Sequence, residues 1–74
     1  MKTEPRFAPG QAIWIVISRG CLFVAEPATV EIAGRDLGGE AYLINNEHGK
    51  FIARGTGTFA TRAEAQAEAG RRNA

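Results

Sequence analysis

The amino-acid sequence predicts a mainly β domain, a small antiparallel barrel of five or six short strands closed off by one short C-terminal α-helix. Runs of β-branched and aromatic residues recur between Gly, Pro and Asn signals at intervals of roughly 6 to 12 residues, the spacing of short paired strands. Thr61 followed by Glu64 is a capping box, in which the Thr hydroxyl accepts from the Glu backbone N–H and the Glu carboxylate reaches back to the Thr N–H. Upstream of that box the chain reads as strands, and downstream as one alanine-rich helix. Closure into a barrel would remove exposed sheet edges, which a domain of 74 residues tolerates poorly.

Each element follows in order. Residues 1–10 hold Pro5 and Pro9-Gly10, an irregular arm that Phe7 pins to the core. Residues 11–18 give the strongest strand, with Ile13, Ile15 and Ile17 on one face and Trp14 and Val16 on the other. Residues 21–25 form a second extended run that ends at Glu26-Pro27. Residues 28–33 alternate, Val30 and Ile32 inward, Thr29 and Glu31 outward. Gly34 to Gly39 reads as a flexible loop. Residues 40–45 make a strand through Tyr42 and Ile44, Asn45 to Gly49 a hairpin turn, and Lys50 to Arg54 the return strand. Gly55-Thr56-Gly57 bends the chain into Thr58-Phe59, a last short strand. The helix is expected over about residues 62–69, with Gly70 as its C′ residue and Arg71-Arg72 beside the negative end of its dipole. The organisation is thus an arm at 1–10 and a single domain at 11–74.

Composition narrows the function classes. One cysteine, Cys21, excludes an internal disulfide, and Cys21 with His48 is too little for a closed zinc site, so no metal or other cofactor is expected. No signal-like apolar run follows the first residues, and the apolar stretch at 12–17 is far short of a membrane span, which leads to the expectation of a cytoplasmic protein without a membrane partner. Net charge is +1, with the basic residues scattered, so long-range attraction to nucleic acid is weak.

The sequence also offers constellations with chemistry. Ser18, Asp36 and His48 are the only residues of their types, but Ser18 ends a strand without the glycine-flanked elbow that exposes a nucleophile. Cys21 lies beside Leu22, Phe23 and Val24, an apolar setting that predicts a buried, inert thiol. Arg54-Gly55-Thr56-Gly57-Thr58 before a helix has the donors for an anion but not the spacing of a P-loop. No catalytic residue is assigned, and the chain is expected not to be an enzyme.

A Pro9-Gly10-Gln11 opening into Trp14 and Val16 begins a familiar order of features. Ala28-Thr29-Val30 and Tyr42-Leu43-Ile44 strands follow, then a turn at Gly49 and a Phe59-to-Ala65 exit into a helix. Together they resemble small SH3-like barrels of the Tudor and KOW kind, among them short proteins of phages and mobile elements. The resemblance spans about residues 9–70 and implies a binding fold without intrinsic chemistry. The function expected from it is a small accessory or inhibitory protein, anti-CRISPR-like in its most concrete form, that docks on a larger protein or nucleoprotein assembly. The alternative is a nucleic-acid-binding or transcription-associated barrel. Phe23, Arg35, Glu40, Glu47 and Arg54 are the candidate partner contacts, and the protein is expected to be a monomer or homodimer.

Overall fold

A computed structural model describes residues 5–74, the side chain of Asp36 excepted; residues 1–4 of the expected arm lie outside the described residues. Five antiparallel strands form one sheet: β1 (Ala12–Arg19), β2 (Leu22–Asp36), β3 (Gly39–Asn46), β4 (Gly49–Arg54) and β5 (Thr58–Phe59). A 3-10 turn at Gly55–Gly57 joins the last two, and helix α1 (Arg62–Asn73) ends the chain. The spatial order is β4-β3-β2-β1-β5. The fold is mainly β as the sequence predicts, but β4 and β5 remain the two edges of the sheet instead of pairing into a closed barrel.

The sheet nevertheless curls. Three strand spacings of about 4.8 Å separate β4 from β1 in a flat sheet, yet Phe51 and Ala53 of β4 wall the same small cavity as Ile15 and Ile17 of β1. Inside the curl lies the main core of Phe7, Ile13, Ile15, Ala28, Val30, Tyr42 and Ile44, with Phe51 and Ala53 against it. Phe7, from the arm, plugs this core as expected. Val16 on the opposite face of β1 packs under Ala65 and Ala69 of α1, flanked by Trp14, Phe23 and Phe59. Both faces of β1 are therefore covered. The small alanine side chains let the helix lie close to the sheet.

Four expectations are corrected. The two runs expected around Pro27, together with most of the Gly34–Gly39 loop, form the single strand β2, 15 residues long. Proline is tolerated because β3 pairs with β2 only from Thr29 onward, so at Pro27 the strand needs a partner only on the β1 side. A bulge at Glu31 then shifts the register: Val30 pairs with Ile44, and Ile32 pairs with Leu43. The shift carries Ile32 to the outside, 61% exposed, where strict alternation places it inside. Helix α1 also runs past Gly70 to Asn73, and Gly70 keeps a negative φ instead of serving as a left-handed cap. Cys21 is exposed at the β1–β2 turn and not buried.

The start of α1 follows the sequence closely. Thr61 Oγ1 accepts from the Glu64 N–H at 3.2 Å, and Glu64 Oε1 accepts from the Thr61 N–H at 3.2 Å. At the other end, the Arg71 and Arg72 guanidiniums both reach Glu68, Arg72 at 2.6 Å, and pull its carboxyl down to about 2.

Candidate functional site

A cavity of roughly 660 Å³ opens where the β2–β3 turn meets the end of β4 and the 3-10 turn. Arg6, Arg35, Glu40, Arg54, Thr56 and Phe59 line it, with Gly38, Gly39 and Gly55 bringing bare backbone to its wall. Gly39 has a φ of 106°, a conformation that favours glycine and lets the chain reverse tightly into β3. Arg35 and Glu40 face each other as a cross-strand pair in this hairpin, and Arg54 lies opposite Ala41 on the next strand.

Glu40 is the hub. Its Oε1 accepts from the Tyr42 hydroxyl at 2.6 Å and from Arg6 Nε at 3.0 Å, while Oε2 lies 3.5 Å from an Arg35 terminal nitrogen. The Tyr42 hydrogen bond and the nearby Arg6 charge hold the Glu40 carboxyl below its ordinary range, against the opposing effect of burial. Burial, with Glu40 adding to it, pushes the Tyr42 phenol up. At neutral pH the carboxylate is therefore charged and the phenol neutral, which suits one short hydrogen bond between them.

Arg6 holds the far wall. One of its terminal nitrogens donates to the Gly55 carbonyl at 2.6 Å, the Thr58 carbonyl at 3.1 Å and Thr58 Oγ1 at 2.9 Å. Its guanidinium also stacks 4.8 Å above the Phe7 ring. The same arm residues donate their backbone N–H groups to the Tyr42 hydroxyl, Arg6 at 3.0 Å and Phe7 at 3.4 Å. Thr58 is buried, and its hydroxyl donates to the Gly55 carbonyl, closing the 3-10 turn. The result is a cleft in which three guanidiniums line the wall beside one carboxylate. Its chemical competence is recognition of an anionic group by charge-assisted, often paired, hydrogen bonds.

Of the five candidate contacts, Arg35, Glu40 and Arg54 converge on this cleft. Phe23 lies elsewhere, half-buried under α1 with the Arg72 guanidinium 5.5 Å from its ring centre. Glu47 sits in the β3–β4 turn, 3.2 Å from His48, and borders a second cavity of roughly 360 Å³ with Glu26, Pro27 and Asn46. Sequence reasoning missed Arg6, whose only local signal is its place beside the core-plugging Phe7.

The other constellations separate. His48 Nε2 lies between Glu47 and Glu26, 3.7 Å from the latter, and Glu26 is itself gripped by Arg19 at 2.8 and 2.9 Å. Ser18 Oγ turns to the Gly20 carbonyl. Arg54, Gly55 and Thr56 of the run weighed for anion donors form part of the cleft wall. Among the described residues no group of three His, Cys, Asp or Glu side chains is placed to hold a metal ion, and no helix is long and apolar enough to cross a membrane.

Outside the cleft, the bulge at Glu31 builds a second feature. Ile32, Leu43 and Ile52 are successive cross-strand partners on β2, β3 and β4, and they form an aliphatic row on the outer face of the sheet. Ile32 and Ile52 are 61% and 60% exposed, and Leu43 is half-buried between them. Arg54 follows Ile52 by two positions on the same strand, so the row runs into the cleft. The opposite flank of the row carries the Lys50–Glu31 ion pair at 2.9 Å. No protein-family model, curated protein or solved structure matches the chain.

Proposed function

We propose that this chain is a non-catalytic docking module on an SH3-like barrel scaffold, an accessory or inhibitory protein that seats itself on a larger protein assembly. The scaffold reading is supported by the curled five-stranded order, the long strand bent at a bulge and the 3-10 turn before the final strand. The docking reading is carried by the continuity of the arginine cleft with the exposed aliphatic row. A polar, charge-selective pocket beside a compact apolar patch is the composition of a protein-binding hot spot with its anchor and its rim. Monomeric proteins seldom expose neighbouring aliphatic side chains in this way without a use for them.

Affinity capture from the native host tests this, with wild-type protein compared against an Arg35→Glu/Arg54→Glu double variant. The expected result is a stoichiometric protein partner retained by the wild type and lost by the variant. Capture of nucleic acid alone, with affinity falling steeply as salt rises, would replace this reading with the nucleic-acid-binding alternative.

A further inference from the structure

We infer that the aliphatic row and the arginine cleft form one recognition track for an extended protein segment that carries an acidic residue two positions from an aliphatic one. This rests on the docking reading and gives its partner a chemistry. Ile52 and Arg54 project from the same face of β4, two residues and therefore about 6.6 Å apart along the strand. An extended segment lying along β4 has the same repeat, so an aliphatic side chain over Ile52 brings the acidic one to Arg54 and the cleft mouth. Leu43 and Ile32 widen the apolar contact across two further strands. Arg6, Arg35 and Arg54 all line the cleft, where the Glu40 carboxylate is engaged by Tyr42, Arg6 and Arg35.

The same features disfavour a polynucleotide. Ile32, Leu43 and Ile52 give a base no aromatic surface to stack on, and Phe59, the aromatic residue of the cleft wall, is packed with the core beneath α1. A long polyanion following the sheet away from the cleft would meet Glu31, Glu47 and Glu26. A short acidic segment ends before it reaches them.

The test is a titration of isotope-labelled protein, read by amide chemical shifts, with the peptide acetyl-Gly-Leu-Thr-Asp-Leu-Thr-Asp-Gly-amide. The track requires saturable shifts at Ile32, Leu43, Ile52 and Arg54. Binding should weaken by about tenfold or more for Arg54→Glu, for Ile52→Asp, and for the peptide with Ser in place of Leu. Both protein positions are exposed; should either variant lose its dispersed spectrum, Arg54→Gln or Ile52→Thr takes its place with the same expectation. An oligothymidylate should leave the row unshifted. The inference is overturned by a peptide that gives no saturable shift on the row, by variants that bind it unchanged, or by an oligothymidylate that occupies the cleft where the peptide does not. A partner captured equally by Ile52→Asp, with no peptide binding, removes the track and leaves docking in place. Peptide binding without any captured partner does the reverse.

Discussion

The side-chain amide of Asn73 forms a two-point hydrogen bond with the backbone of Phe23, donating to its carbonyl at 2.9 Å and accepting from its N–H at 2.7 Å. Asn73 thus reproduces the pairing that another strand would supply. Here β2 has β1 on one side and no strand on the other until Thr29. An uncapped edge is a template for unwanted association. Asn73→Ala is expected to lower stability by about 1 kcal/mol or less, given two exposed hydrogen bonds. It should also speed hydrogen exchange at the Phe23 amide. Exchange unchanged from wild type would show that the edge is protected by other means.

Tyr42→Phe removes the hydroxyl that joins Glu40 to the Arg6 and Phe7 backbone N–H groups. The Phe7 N–H lies in a buried setting, and leaving it unsatisfied costs about 1–3 kcal/mol. Denaturant unfolding should show a loss of that order with an unchanged slope. A loss of only a few tenths would mean that the arm finds another acceptor.

Stability should fall on acidification. Glu40 and Glu68 both titrate below their ordinary value of 4.5 in the folded protein, Glu68 near 2. In the unfolded chain they bind protons first, so their contribution is fully present above about pH 4.5 and is lost as pH drops toward 2. Unfolding midpoints measured between pH 6 and 2 should therefore decline throughout the lower half of that range. The decline should be shallower in Glu68→Gln. An identical slope would remove Glu68 from the account.

Gly70 is helical with a negative φ, and a methyl group built on it meets nothing within 4 Å. Gly70→Ala should therefore stabilise the protein by about 0.5–1 kcal/mol through helix propensity and unfolded-state entropy. A lower thermal midpoint would contradict the helical assignment of the last turn.

Ala65 is fully buried against Val16 in the thin layer between helix and sheet. Ala65→Leu adds bulk where nothing gives way easily, and overpacking of that kind costs about 1–3 kcal/mol. Thermal denaturation measures it directly, and an unaffected midpoint would mean that the helix rides more loosely than its packing implies.

Local patterns were readable wherever local physics decides. The alternation of β1, the Tyr42–Ile44 strand, the turn into Gly49 and the Thr61–Glu64 box all appear in the structure as their residues dictate. What escaped reading depends on partners far along the chain. Pro27 looks like a terminator, because nothing local reveals that its strand is paired on one side only. Gly70 looks like a stop, but the Glu68 ion pairs and the Asn73–Phe23 bonds carry the helix beyond it. Arg6 has no local mark as a site residue, since its partners lie 34 to 52 positions away. Arg35, Glu40 and Arg54 were identifiable by type, while their convergence is a product of strand register.

The supernumerary residue at position 31 acts as a phase shift. A β2 that ran straight through position 31 without bulging would turn Ile32 into the interior and swing Arg35 to the opposite face. The exterior of this molecule thus depends on one backbone irregularity as much as on which amino acids it carries. Substitutions there should be absorbed, and so should loss of the residue itself, since Val30 and Ile32 already face opposite sides of the sheet.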